Sequence, residues 1–208
     1  QHTTQLDWND SDQHVTNWQH PSHLYATLQA ARSIATRPVV RLQPFRSMKK
    51  GSRVLEYGCS LGPYYHCYRD YFSHLDCTWV LADIPNYPFH YAKYLYRNDA
   101  EVDYVTISAD AFDDPLGSAD TYDMVILTTV LEHLDEPIRI CDYLIDRLNP
   151  GGMLVFDYIK SDGEGLDHPN ALATRDACLN RILDRTQIIH GDVSDLTRSL
   201  SLCIGRKT

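Results

Sequence analysis

The chain has 208 residues, 43% of them apolar and 23% charged, which is enough for one ordinary soluble domain with a full core. Its formal net charge of -9 and pI near 5.5 argue against a broad nucleic-acid-binding face. No run approaches the roughly 18 apolar residues that span a bilayer, and no signal peptide is visible. Six cysteines lack any C-x-x-C arrangement and fall largely in apolar contexts, so reduced, buried thiols in a cytoplasmic protein are expected.

Residues 1–20 are polar, rich in His, Gln, Asp and Thr, and carry Trp8 and Trp18. They read as an arm ordered by docking its tryptophans. Pro21-Ser22 opens a predicted helix with Leu24, Leu28, Ala31 and Ile34 at helical spacing. We divide the chain into this arm and helix, 1–45, covering a site carried by a domain at 46–208. After a turn at Lys49–Ser52, α/β alternation runs to the C-terminus. Strands are expected at Arg53–Tyr57, Thr78–Asp83, Asp103–Ser108, Tyr122–Thr128, Met153–Ile159, Thr186–His190 and Leu200–Gly205. Helices are expected near Pro63–Ser73, Phe89–Arg97, Pro137–Leu148 and Ala171–Asp184, with Pro150-Gly151-Gly152 turning the chain between helix and strand. Strands such as Met124-Val125-Ile126-Leu127 are apolar throughout, as parallel strands covered on both faces are. The expected fold is a doubly wound α/β sheet, with ligands beyond the carboxyl ends of its strands.

Four stations fall at those ends. The first is Glu56-Tyr57-Gly58-Cys59-Ser60-Leu61-Gly62. A dinucleotide fingerprint needs glycines where Ser60 and Pro63 stand, so acid-x-Gly-x-x-x-Gly remains. Gly58 and Gly62 leave room for a ligand. Glu56 either accepts from a ligand ammonium or ties down the turn through backbone N–H groups. The second is Asp83, 25 residues after Gly58, placed to accept ribose hydroxyls or to cap the next helix. The third is Asp110-Ala111, which suits an adenine edge but borders the acidic Asp113-Asp114. The fourth is Thr128-Thr129-Val130-Leu131-Glu132-His133, where His133 is a candidate general base or a structural hydrogen-bonder.

Together these stations resemble the class I S-adenosylmethionine-dependent methyltransferases, small-molecule type. Val54–Gly62 is similar to the family's first motif, Asp83 to its ribose-binding acid and Asp110-Ala111 to its adenine pair. Tyr122–Leu134 and Leu148–Gly152 are similar to its stretch from fourth to fifth strand. The resemblance implies a Rossmann-like seven-stranded sheet, mostly parallel with a C-terminal antiparallel strand. It also implies S-adenosylmethionine as donor, S-adenosylhomocysteine as product, and a binding set of Glu56, Gly58, Ser60, Gly62, Asp83, Ile84, Asp110, Ala111 and Thr128. Ser60 departs from the family's usual glycine. A positive φ there would cost about 1–2 kcal/mol.

Methyl transfer is an in-line displacement on an activated donor, so alignment supplies most of the acceleration. An oxygen acceptor would make His133, or His168 in the 161–169 loop, more relevant; that loop reads as a lid or as a plain connection. A small-molecule or sugar-like acceptor, methylated on oxygen or nitrogen, is expected rather than nucleic acid or a membrane. The alternatives are a catalytically idle methyltransferase-like module and another nucleotide-dependent enzyme such as an NAD oxidoreductase. Tyr64, Tyr68, Tyr71 and Tyr87, Tyr91, Tyr94 form helical stripes suited to core or to a homodimer contact. The histidines at 14, 20 and 23 match no standard zinc spacing, so no metal is expected.

Overall fold

The computed structural model describes residues 15–16, 18–21, 24–36, 41–108, 113–160 and 167–208. Seven strands form one sheet in the order β3-β2-β1-β4-β5-β7-β6. They are β1 Arg53–Tyr57, β2 Thr78–Asp83, β3 Val102–Thr106, β4 Tyr122–Leu127, β5 Leu148–Tyr158, β6 Thr186–His190 and β7 Leu200–Lys207. β7 alone runs antiparallel to its neighbours β5 and β6, and the other pairings are parallel. This is the Rossmann-like sheet the resemblance implied. The helices are α1 Leu24–Thr36, α2 Pro63–Tyr71, α3 Tyr87–Leu95, α4 Pro137–Asp146, α5 Pro169–Ala173 and α6 Arg175–Arg185.

The doubly apolar strands sort their side chains by the two-residue alternation of a strand. Leu55, Val125, Leu127, Leu154 and Phe156 pack with Ile140 and Leu144 of α4 and Cys178 and Ile182 of α6. Val54, Trp79, Leu81, Met124, Ile126 and Val155 pack on the other face with the aromatic side of α2 and α3. There Trp79 meets Tyr65 and Tyr68 at 5.5 and 5.2 Å between ring centroids. Each such buried side chain stabilises the fold by about 1.5–3 kcal/mol.

Several boundaries differ from the sequence reading. β5 starts at Leu148, not Met153, but residues 149–152 bulge out of the β4 pairing between Leu148 and Met153, with Gly151 at φ 73°. The predicted helix near Ala171–Asp184 is two helices meeting at Thr174, which ends α5 and starts α6. Helix α1 is described from Leu24, and the predicted opening at Ser22 lies outside the described residues. Tyr64 and Tyr68 are core residues, whereas Tyr71 and the α3 residues Tyr87, Tyr91 and Tyr94 are exposed, with Tyr91 stacked on Tyr94. All six cysteines are buried free thiols, and the Sγ atoms of Cys141 and Cys178 lie 3.6 Å apart. Among the described residues no helix is long and apolar enough to cross a membrane.

The last hairpin is held to the sheet by Arg175, a buried cation at the start of α6. Its guanidinium donates to the carbonyls of Leu196, Tyr158 and Arg198. These charge-assisted bonds replace the water the guanidinium loses on burial. Arg175→Met is expected to lower the unfolding free energy by about 2–4 kcal/mol in urea titration, because three carbonyls lose their donor.

Candidate functional site

The carboxyl ends of β1, β2, β4 and β5 meet along one edge of the sheet, and four carboxyls organise it, three of them buried and that of Asp157 half-buried. Glu56, at the end of β1, is 3% exposed. Its Oε1 accepts from the Tyr64 amide at 3.1 Å and its Oε2 from the Tyr65 amide at 3.0 Å. Those N–H groups belong to the open first turn of α2, which begins with Pro63 after Gly62 at φ 65°. The side chain therefore caps α2 from the strand that precedes it. Burial raises its carboxyl to about 8, against the pull of the two amides.

The turn between β1 and α2 is left-handed at three positions: Gly58 at φ 65°, Ser60 at φ 51° and Gly62 at φ 65°. Ser60 thus adopts the conformation that favours glycine. Its strain is offset in place, since the Ser60 amide donates to Asp83 Oδ2 at 2.6 Å. Asp83 Oδ1 accepts from the Ile84 amide at 2.8 Å and from Asn86 Nδ2 at 3.1 Å. Asn86, rather than Asp83, caps α3, accepting from the Phe89 amide at 2.9 Å. Burial lifts Asp83 to about 6, while those three donors pull it back down. A carboxylate has about four acceptor positions, so Asp83 keeps one for a further partner. The room at Gly58 is used from within: a Cβ there would lie 2.3 Å from Val130 Cγ2. At Gly62 a Cβ would approach Leu81 Cδ1 to 3.1 Å.

The β4 end holds a second strained position. Thr129 sits at φ 55°, an outlier for a β-branched residue, and its amide donates to Asp157 Oδ1 at 2.6 Å. Asp157 lies near the end of β5 and is raised to about 6 by burial, with Thr129 opposing. Thr128 shares a side-chain hydrogen bond with Tyr64 of α2. Glu132 follows in a one-turn 3-10 helix, Leu131–His133, and is 1% exposed. Burial raises it to about 8, and the charges of Asp157 and Asp167 add to that rise.

His133 lies at the rim. Its Nδ1 is 3.8 Å from Asp167 Oδ1, and its ring meets Trp18 edge-on with centroids 5.2 Å apart. Gln19 Nε2 donates to the Pro85 carbonyl at 2.8 Å, so this piece of the arm reaches from the β4 turn to the β2 turn. His168 is 4% exposed; its Nδ1 accepts from the Asn170 amide at 3.2 Å and its own amide donates to the Glu132 carbonyl at 2.8 Å. It caps α5 and fastens that helix to the β4 turn. Asp110 and Ala111 lie outside the described residues, as do residues 161–166 of the 161–169 loop. Asn86 and Asp157 escaped the sequence reading, and Thr129 was read only as part of the fourth station. Asp157 had a signal: it is an acid at the carboxyl end of an apolar strand, as Asp83 is. Among the described residues no three His, Cys, Asp or Glu side chains are arranged to hold a metal ion.

An open α/β sheet with this strand order and a lone reversed strand defines the class I methyltransferase fold. The profile of the methyltransferase-domain family matches residues 25–189, most of the chain, and the chain belongs to that family. It is 32% identical over 128 residues to a tRNA U34 carboxymethyltransferase of Hahella chejuensis, an alignment covering 60% of this chain and 37% of that protein's length. Its fold is similar to the N-methyltransferase NodS of Bradyrhizobium japonicum WM9, with a TM-score of 0.56, 17% identity, and 90% and 97% of the two chains covered. MccD protein is similar with a TM-score of 0.60, 15% identity, and 84% and 98% covered.

Two outcomes follow from this edge. Ser60→Gly removes the strained side chain and is expected to raise stability by about 0.5–1 kcal/mol in chemical denaturation, part of the relief being lost to glycine's larger unfolded-state entropy. The four carboxyls hold protons more tightly folded than unfolded. The resulting stability is complete below their unfolded values and lost as pH rises through about 6 for Asp83 and Asp157 and about 8 for Glu56 and Glu132. Urea unfolding of the ligand-free protein should show its free energy falling by about 2 kcal/mol or more between about pH 5 and pH 9.

Proposed function

We propose that the protein transfers the methyl group of S-adenosylmethionine to oxygen or nitrogen of a small-molecule or sugar-like acceptor. The observation that carries this reading is the left-handed turn at 58–62, braced across the edge by an Asp83 carboxyl with an acceptor position to spare. The donor fits these residues in charge as well. It carries a sulfonium, and the edge holds several carboxyls whose ionisation burial has suppressed and a cation would restore. In this reading the turn of Glu56, Gly58, Ser60 and Gly62 receives the methionine end. Asp83 and Ile84 take the ribose, Asp110 and Ala111 the adenine, and Thr128 lines the floor. When bound, the donor supplies an activated methyl group.

The protein's own part is to align and to exclude water. Residues 18–19 bridge the β2 and β4 turns, which supports the arm of 1–45 as a cover over a donor domain of 46–208. His133, at the rim beside Trp18, is the better placed of the two histidines to accept a proton from an acceptor hydroxyl. His168 Nδ1 is committed to the Asn170 amide, which leaves that ring a cap. Six buried free thiols fit a reducing cytoplasm.

An RNA acceptor is the second reading, and the similarity to a tRNA U34 carboxymethyltransferase favours it. The net charge of -9 weighs against it, since phosphate neutralisation supplies much of RNA affinity. Methyl capture from labelled donor with small-molecule extracts and with tRNA in parallel separates the two: label in the extract alone supports a small acceptor, and label in tRNA alone overturns it. Calorimetry is expected to show S-adenosylhomocysteine binding without NADH binding. Asp83→Asn should weaken the former by roughly tenfold or more, because a charge-assisted acceptor is lost. Unchanged affinity would remove the ribose assignment.

A further inference from the structure

Glu132 is a buried acid that its surroundings leave incompletely paired. It is 1% exposed, and its Oε2 has no hydrogen-bond partner among the described residues. Among the described residues, the compensating donor to its carboxyl is its own backbone amide. Buried polar atoms in native proteins are nearly all paired, so an unpaired carboxylate oxygen calls for a cause. A residue needed only to plug this turn would be leucine or methionine.

Neighbouring segments bring further acids to the same place. β4 and β5 run in register with Leu127 beside Phe156, which sets the β4 turn next to Asp157. The Thr129 amide, held at positive φ, fixes the Asp157 carboxyl there. From the other side, the His168 amide ties its segment to the Glu132 carbonyl, and the adjacent Asp167 side chain is 6% exposed. The charges of both aspartates act on Glu132. Among the described residues no lysine or arginine forms an ion pair with Glu132 or Asp157, and these acids are not arranged as a metal site. Acids grouped in this way suit a cation carrying hydrogen-bond donors.

We infer that the methyl acceptor is an amine, received as its ammonium by Glu132 and Asp157, with Glu132 taking the proton that frees the nitrogen lone pair. The inference rests on the methyl-transfer reading above. The N–H bond breaks with its electron pair left on nitrogen, and the proton goes to a Glu132 oxygen. A nitrogen–carbon bond then forms as the sulfur–carbon bond breaks, that electron pair staying on sulfur. A hydroxyl acceptor would bring no charge to these carboxyls. An ammonium brings one positive charge and several donors, and fills the unpaired position of Glu132.

The test uses the whole chain, labelled with 13C at glutamate carboxyls and saturated with S-adenosylhomocysteine, whose neutral sulfur leaves the acid cluster unanswered. Methylammonium chloride is titrated in, with tetramethylammonium and potassium chlorides as controls for charge without N–H donors. The expected result is a shift of the Glu132 resonance and a rise in Tm with methylammonium beyond either control. Glu132→Gln should lose both responses while holding S-adenosylhomocysteine within about threefold of wild type, a difference well under 1.4 kcal/mol. Glu132→Met, which fills the same space without an unpaired oxygen, should melt higher than wild type and be equally unresponsive. A methylammonium response no greater than that of potassium, or an unaltered response in Glu132→Gln, overturns the inference and leaves the donor assignment standing. Failure of wild type to bind S-adenosylhomocysteine removes the donor reading, and the inference with it.

Discussion

The edge of this sheet depends on one carboxyl, that of Asp83, at the junction of three pieces of chain. It accepts from the Ser60 amide of the β1 turn, from its own successor Ile84, and from Asn86, which in turn caps α3. A strand end, a strained turn and a helix start are thereby fixed by one buried group. Glu56 performs the matching task one strand away, with both oxygens on the opening amides of α2. Substituting either acid would loosen a helix as well as a site, so binding measurements on such variants are best read beside their melting curves.

These devices are costly in the ligand-free protein. Ser60 and Thr129 each hold a non-glycine residue at positive φ, a strain of about 1–3 kcal/mol apiece. Four carboxyls are raised well above their ordinary range by burial. Two strained residues and four carboxyls of suppressed charge thus share one edge of an otherwise regular sheet. The core below is conventional, with apolar strands covered on both faces and aromatic α2 and α3 packed over Trp79.

The architecture was readable from the sequence because its signals were redundant. Uninterrupted apolar strands, Pro63 and Pro137 at helix starts and the motif order pointed to one topology. β5 began earlier than expected because Leu148 already pairs with Tyr122, while Pro150-Gly151-Gly152, of turn composition, bulges out before pairing resumes at Met153. The single helix expected after the 161–169 loop is two, because apolar spacing does not report a break at Thr174. At the edge, the sequence reading found Glu56, Asp83 and Thr128 as polar residues closing apolar strands. It passed over Asp157 inside Phe156-Asp157-Tyr158, although the same rule applies. Which amide each acid holds was beyond it: the pairing of Asp83 with Ser60 and of Asp157 with Thr129 depends on strand register and on two left-handed residues, of which only Ser60 stood out, as a departure from the glycine the resemblance implies.

The central claim is that this braced edge receives the methyl donor. Backbone amide NMR of 15N-labelled protein during titration with S-adenosylhomocysteine tests it most directly. The account predicts that the largest shifts fall on the amides of 58–62, Ile84 and Thr129, with the far edge at β6 unmoved. Saturable binding that leaves Ser60, Ile84 and Thr129 unchanged would contradict it.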